Sequence, residues 1–270
     1  MTDQLMINAM LRNDPYSFMK HFFPLMFPGE VFEDGPHLRA IAWQMKRILE
    51  GKEMRLVVNQ PPRSLKSYAF SVILPALYLG HFPERRIVCV SYSEDLAAKL
   101  SRDCKKIMQS DRYKQLFPGS AIGKKNAEME YETVKGGGRL ALAMGGAITG
   151  RGADMIVIDD PVKPEEMKSI IERQLVKDVI DGTLYSRLNN KNTGIIVMVM
   201  QRLHADDPTA HLLDKGGYTH LSFPAIATED MQVQISDFRH VLRTRDSVLL
   251  PGREDLATLR RLQLDMSSFY

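Results

Sequence analysis

Short apolar runs alternate with amphipathic stretches along most of the chain. Residues 37–50 carry apolar side chains at helical spacing, and residues 54–59 form a β-prone run that leads into a Pro-Pro loop. The apolar run 68–82 is shorter than the ~20 residues of a membrane span. We therefore predict that it forms a helix buried in the core, beginning at about Ser67. The pattern therefore predicts a strand, a loop and a buried helix in that order.

The alternation continues in the second half of the chain. The predicted elements are a strand at 86–93, an amphipathic helix at 94–110, a hairpin within 129–144, a strand at 154–161, a helix over about 164–188 and a strand at 194–201. Continuous apolar strands that alternate with helices indicate a mainly parallel sheet with helices on both faces. We therefore predict an α/β fold.

The regularity of the pattern divides the chain into three parts. Residues 1–35 contain aromatic and proline clusters without a clean period, which predicts an N-terminal arm lying on the domain. Residues 36–205 form the predicted core, and the less regular residues 206–270 form a predicted small lid or linker subdomain.

Composition narrows the class of protein. Hydrophobic residues make up 44% and charged residues 26% of the chain, which fits a folded domain. The two cysteines are too few for a disulfide framework, and the N-terminus lacks the pattern of a signal peptide, so we expect an intracellular protein. The net charge of +3 permits an acidic polymer as a partner without requiring one.

A candidate phosphate-binding loop follows the strand at 54–59. Such a loop needs inward backbone N–H groups, a lysine that reaches the outer phosphates and a hydroxyl beside Mg²⁺. Lys66 and Ser67 supply the last two, whereas Gln60 and Leu65 stand where glycines usually allow close backbone approach. The candidate nucleotide contacts are Gln60, Pro61, Pro62, Arg63, Ser64, Leu65, Lys66 and Ser67. The alternative is an exposed turn at the start of a helix.

Two aspartates end the apolar strand at 154–161. One carboxylate near a phosphate loop can hold the Mg²⁺ shell, and the next can orient or deprotonate the attacking water. Asp159 is the candidate for the first role and Asp160 for the second, on a strand expected beside the loop strand. An aspartate turn before Pro161 is the alternative. The order of loop and acidic strand favours the nucleotide site.

A glutamine and two arginines complete the candidate site. Gln201 ends the last apolar strand, where its amide can contact the outer phosphate or the attacking water. Arg63 and Arg151 are candidates for the arginine that stabilises developing charge. We expect Arg151 to project from a glycine-rich loop close to Asp159 and Asp160, acting in its own subunit or a neighbour's. A strand-end glutamine and an exposed loop cation are the alternatives.

Three motifs together resemble the ATPase region of the large terminase subunit of tailed bacteriophages. They are PPRSLKS (61–67), TGRGADMIVIDDP (149–161) and MQRLHADD (200–207). The ordered set is specific although each motif alone is not, and the resemblance covers most of residues 35–270. It implies a P-loop NTPase fold of the additional-strand, RecA-like type, and ATP hydrolysis that moves double-stranded viral DNA into a preformed capsid.

The resemblance implies a role for each matching residue. The implied roles are the phosphate-loop pair for Lys66 and Ser67, the Mg²⁺ aspartate for Asp159, the catalytic carboxylate for Asp160, the coupling motif for Gln201 and an arginine offered to a neighbouring subunit for Arg151. The region before the loop handles adenine in the family, which makes His37 and Gln44 candidates here; ordinary helix positions are their alternative.

Two positions depart from the family pattern. Leu65 stands where many phosphate loops have glycine, and Asp160 stands where many relatives have the longer glutamate. Both changes are expected to slow hydrolysis without removing Lys66, Ser67 or Asp159. We therefore expect binding of the Mg²⁺-nucleotide to survive better than turnover.

The resemblance also implies partners and a location. The implied cofactors are ATP and Mg²⁺. The implied partners are double-stranded DNA without base specificity, the portal protein, the small terminase subunit and further copies in a ring. The isolated chain is expected to be a monomer, and no membrane is expected as a partner. The location is the bacterial host cytoplasm. No nuclease activity is expected of this chain. The alternatives are a helicase-type nucleic-acid motor and a nucleotide-binding module with little turnover.

Overall fold

The computed structural model describes residues 2–265 apart from positions 147 and 149. The α-helices are α1 (Thr2–Asn13), α2 (Pro15–Met26), α3 (Pro36–Leu49), α4 (Leu74–His81), α5 (Glu94–Gln109), α6 (Asp111–Leu116), α7 (Ile170–Asp178), α8 (Pro208–Asp214) and α9 (Leu256–Asp265). The strands are β1 (Arg55–Asn59), β2 (Arg86–Ser91), β3 (Ile122–Asn126), β4 (Glu130–Thr133), β5 (Gly138–Ala143), β6 (Met155–Asp159), β7 (Ile195–Met200), β8 (Thr219–Ser222), β9 (Met231–Gln234) and β10 (His240–Arg243).

Eight strands form one mainly parallel sheet in the order β3-β4-β5-β2-β6-β7-β1-β8. The strands from β5 to β8 in that order pair in parallel, while β3 and β4 add the predicted hairpin region in antiparallel orientation. The acidic strand β6 was expected beside β1, and this expectation is wrong because β7 lies between them. The inserted strand is the additional strand that the P-loop resemblance implied.

The sheet buries apolar residues on both faces, as its continuous apolar strands predicted. Along β1, Leu56 and Val58 join the core formed with α2 to α5, whereas Val57 joins the core on the face of α7 and α8. This alternation follows from the two-residue period of a strand. The α/β fold with helices on both faces is confirmed.

The segment predicted as an arm forms helices α1 and α2. Asp14 caps α2 by accepting hydrogen bonds from the N–H groups of Tyr16 and Ser17, and Phe18 and Phe23 are buried in the main core. Proline within the aromatic cluster hides the helical period, although Pro15 at the first helical position is compatible with a helix.

Two predicted helices are interrupted. The apolar helix after the loop begins with a wide π turn, Tyr68–Ile73, and only then continues as α4. The helix predicted over 164–188 consists of a 3₁₀ turn, α7, a second π turn at Val179–Leu184 and another 3₁₀ turn. Among the described residues, no helix has the length and apolar character needed to cross a membrane.

Candidate active site

The candidate phosphate loop leaves β1 after Asn59 and reaches the helix at Ser67. The N–H of Gln60 donates to the carbonyl of Met200 at 3.2 Å, which ties the start of the loop to β7. Ser64 is fully buried, and its hydroxyl donates to the carbonyl of Pro61 at 2.7 Å. The loop therefore has its own internal support in place of glycine.

Leu65 takes up the backbone conformation that glycine usually has at this position. Its φ is 66°, in the left-handed region, and Arg63 has a φ of 60°. A side chain there costs about 1 kcal/mol. The half-buried side chain of Leu65 packs against the main core, and its carbonyl accepts from the N–H of Ala69 at 2.9 Å. The leucine thus keeps the loop path while adding strain.

The structure brings Lys66 and the acidic pair together. The ammonium of Lys66 lies 2.9 Å from a carboxylate oxygen of Asp160, and Lys66 is only 7% exposed. Asp160 has a φ of 45°, and its N–H donates to the carbonyl of Val199 at 2.8 Å. The lysine of the loop and the carboxylate after β6 therefore meet across the end of β7.

Asp159 is buried and holds two hydroxyl groups. The Ser67 hydroxyl donates to Oδ1 of Asp159 at 3.0 Å, and the Ser71 hydroxyl donates to Oδ2 at 2.6 Å. Burial and the adjacent charge of Asp160 raise the pKa of Asp159, and the two hydroxyls oppose this effect. Hydroxyl and carboxylate oxygens are the ligands that Mg²⁺ prefers, so Ser67 and Asp159 fit that ion.

A cleft of about 640 Å³ opens next to the loop. Its residues come from the loop, from α2 and the turn after it, from α5 and from the C-terminal region; they include Met26, Phe27, Glu30, Arg63, Leu65, Lys66, Ser67, Tyr68, Lys99, Asp103 and Arg253. The rings of Phe27 and Tyr68 lie 5.3 Å apart at 78°. The cleft is thus lined by charged residues of the loop and by two aromatic rings, and such a mixed lining can accommodate a nucleotide.

Gln201 does not line the cleft that contains Lys66 and Ser67. It follows β7 and lines a second cleft of about 280 Å³ together with Gln60, Pro61, Pro62 and Ser222. Because β7 runs between β1 and β6, its end lies between the loop and the acidic pair.

His37 and Gln44 do not reach the loop cleft. Both belong to α3 and are buried, with exposed fractions of 0% and 4%. The His37 ring contacts the Phe223 ring at 6.2 Å, and burial lowers the pKa of His37 to about 4. The apolar packing of α3 against the sheet places these two polar side chains inside the protein.

Arg151 lies at the opposite end of β6 from the acidic pair. It precedes the first residue of that strand by four positions, and its guanidinium pairs with Glu130 at 3.2 Å. The expectation that Arg151 projects close to Asp159 and Asp160 is therefore wrong. Five strand residues separate the two ends by about 13 Å of backbone.

Three lysines of α5 contact groups of the protein itself. Lys99 pairs with Asp103 at 2.8 Å, Lys105 donates to the carbonyl of Ala127 at 2.7 Å, and Lys106 donates to the carbonyl of Leu25 at 2.8 Å. These contacts give the three lysines a structural role within the protein.

Sequence reasoning missed Ser71 and Arg253. Ser71 follows Ser67 by four residues, so helical spacing was a usable signal for a second hydroxyl on the same face. Arg253 donates to the carbonyl of Arg63 at 3.1 Å and pairs with Glu30 at 3.0 Å. No local pattern indicates this contact, because 190 residues separate Arg253 from Arg63.

No protein-family model and no curated protein matches the chain. Among solved structures, the HK97 bacteriophage large terminase aligns with a TM-score of 0.53 and 13% identity over 79% of this chain. The DEAD-box helicase Mss116 bound to ssRNA and UDP-BeF aligns with a TM-score of 0.47 and 16% identity over 69% of this chain. The large terminase ATPase domain of Thermus phage P74-26 aligns with a TM-score of 0.46 and 12% identity over 80% of this chain.

The chain spans 44% of the HK97 protein, 40% of the Mss116 chain and 83% of the P74-26 domain. At these identities the likeness concerns the fold. The likeness therefore confirms the mainly parallel α/β fold and its resemblance to the fold of the HK97 large terminase.

Proposed function

We propose that the chain is a Mg²⁺-dependent ATPase that powers movement of double-stranded DNA into a procapsid, as the ATPase region of a large terminase. The observation that carries this proposal is the pair of contacts Lys66–Asp160 at 2.9 Å and Ser67–Asp159 at 3.0 Å. Both contacts join the phosphate loop to the acidic strand, which lies more than 90 residues later in the chain.

Ser67 and Asp159 would hold Mg²⁺, which supplies charge neutralisation at the phosphates when bound. Lys66 would bind the outer phosphates of ATP. A triphosphate would compete with Asp160 for the ammonium of Lys66, leaving the carboxylate of Asp160 to orient the attacking water and accept its proton. The N–H of Asp160 and the N–H of Gln60 at the start of the loop both donate to carbonyls of β7, so this exchange would need only side-chain movement.

The remaining cleft residues would bind the nucleoside and couple hydrolysis to movement. Phe27 and Tyr68 would contact the base and Arg63 would contact phosphate; this is supported by their position in the same cleft as Lys66. Gln201 would report the state of the phosphates to the segment after β7. Arg151, at the far end of β6, would act on the site of a neighbouring copy in a ring.

The first test is phosphate release from Mg²⁺-ATP by the intact chain. The parent should hydrolyse ATP, whereas Lys66→Ala and Asp160→Asn should not, and Asp160→Asn should still bind nucleotide. Lys52→Ala is the matched control, because Lys52 is 62% exposed and pairs only with Glu50 in the described contacts. A parent no faster than Lys66→Ala that still binds nucleotide would instead establish a binding module.

A nucleotide-binding module with little turnover is the second candidate. It is favoured by the strained backbone at Leu65 and by the ion pair that occupies the carboxylate of Asp160.

The DNA part of the proposal has its own test. Double-stranded DNA should raise the hydrolysis rate without regard to sequence, and the increase should weaken with salt. Separation of the strands of a duplex would favour a helicase-type motor. Addition of portal protein and small terminase subunit tests the proposed partners.

A further inference from the structure

The two oxygens of Asp159 are held by two different serines. Ser67 donates to Oδ1, whereas Ser71 donates to Oδ2 at the shorter distance of 2.6 Å. Ser71 is fully buried and Asp159 is 1% exposed, so neither group exchanges this bond for water. The proposed hydrolysis uses Ser67 as a Mg²⁺ ligand but assigns nothing to Ser71.

A wide turn places Ser71 against the carboxylate. Positions four apart lie on the same face of a helix, so Ser71 stands one turn beyond Ser67. Pro75 has no N–H to donate to the carbonyl of Ser71, which accounts for the π turn at Tyr68–Ile73. The buried guanidinium of Arg139 donates to that carbonyl at 3.3 Å.

We propose that Ser71 is a positioning residue that fixes the orientation of the Asp159 carboxylate for Mg²⁺. By holding Oδ2, it leaves Oδ1 on the side of Ser67, where the two candidate ligands face the same point. Hydrogen bonds to the second oxygen of a ligating carboxylate orient the metal ligand in this way. The inference rests on the proposed Mg²⁺-nucleotide site and adds a residue to it.

The test separates metal-dependent from metal-independent binding. The affinity of the intact chain for a fluorescent ATP analogue is measured with Mg²⁺ and with EDTA, and the ratio of the two affinities is compared. Ser71→Ala should reduce the gain from Mg²⁺ about tenfold, the usual effect of losing such a supporting bond. The affinity in EDTA should stay within about twofold, because Lys66 and the loop are unchanged.

Three further variants keep the test decisive. Ser71→Cys fills the same space with a weak donor, so it should lose most of the Mg²⁺ gain even if Ser71→Ala folds poorly. Ser71→Thr restores a hydroxyl and should recover the gain. Ser101→Ala is the matched control. Ser101, in α5, is also fully buried, and its hydroxyl donates at 2.6 Å to the carbonyl of Glu128, away from the acidic pair.

The outcomes distinguish the two proposals. If Ser71→Ala and Ser71→Cys keep the Mg²⁺ gain of the parent, or lower the affinities with Mg²⁺ and with EDTA by the same factor, Ser71 is not a positioning residue. If the parent itself binds no nucleotide under either condition, the proposed function fails first.

Discussion

The strand β6 has aspartates at both ends, and the two ends differ in how these residues are held. Asp154, just before the strand, accepts from the N–H of Arg86 at 2.8 Å and pairs with the half-exposed Arg85 at 3.1 Å. Asp159 and Asp160, at the other end, contact buried side chains. The same residue type therefore serves as a surface anchor at one end and as part of an enclosed polar cluster at the other.

The carboxyl end also includes residues with a strained backbone. Leu65 and Asp160, whose φ values are 66° and 45°, both lie at this end of the sheet. Conformations of this kind persist where the surrounding contacts enforce them, and they are concentrated at functional sites. The two ends of the strand therefore differ in the burial of their contacts and in the strain of the backbone, and the strained end carries the candidate site.

The largest expected effect comes from replacing one aspartate by asparagine at each end of β6, in separate variants. Asp160→Asn removes the candidate base and should lower the rate of phosphate release at least 100-fold. Asp154→Asn, the matched change at the amino end, should alter the rate less than about twofold and lower the free energy of unfolding by about 1 kcal/mol. Steady-state phosphate release and urea unfolding measure the two effects.

Equal losses of activity in the two variants would contradict the assignment of chemistry to the carboxyl end. A rate of phosphate release for Asp160→Asn close to that of the parent would contradict the role of Asp160 as the base. Nucleotide affinity is measured alongside, because intact binding shows that the site of each variant has folded.

The carboxyl-end cluster was predictable because it depends on order along the chain. Parallel strands end at one edge, so a loop after β1 and acids after β6 had to approach each other. The position of Arg151 was not predictable from its closeness in sequence to Asp159, since a strand carries its two ends apart. Arg253 was not predictable either, because only the packing of the C-terminal region brings it to the loop.

His37 provides a third case beside the two ends of β6. It is a buried polar group with neither a surface ion pair, as Asp154 has, nor a buried hydrogen-bond partner among the described residues, as Asp159 has. Its ring nitrogens have no hydrogen-bond partner in the part of the chain that the structure describes, and burial, followed by the charge of Arg243, lowers its pKa from 6.5 to about 4. The unfolded chain binds the proton first, so stability is full above about pH 6.5 and falls as the pH approaches 4. The loss attributable to His37 is about 3 kcal/mol.

Urea unfolding of the parent and of His37→Gln at pH 7 and pH 4.5 tests this expectation. The parent should lose more stability than the variant over that interval, because only the parent can take up the proton on unfolding. An identical pH dependence of the two proteins would show that His37 is not kept neutral by the fold.

A smaller effect is expected from the strained leucine of the loop. Leu65→Gly should be about 1 kcal/mol more stable than Leu65→Ala, because alanine retains the cost of a positive φ and glycine does not. Leu96, in the first turn of α5, is the matched position, and there the glycine variant should be the less stable one. Thermal unfolding of the four variants measures both differences. The same order at both positions would contradict strain at Leu65.

The smallest effect is expected at Arg253, which joins the C-terminal region to the loop. Its side chain is 39% exposed, so its pair with Glu30 adds little stability, but its bond to the carbonyl of Arg63 restrains the loop. Arg253→Ala should therefore weaken nucleotide affinity about two- to fivefold and change the free energy of unfolding by less than about 1 kcal/mol. Arg85→Ala, which removes a similarly exposed pair at the amino end of β6, should leave the affinity unchanged. An equal loss of affinity in both variants would mean that the two ends of the sheet do not differ in their connection to the cleft.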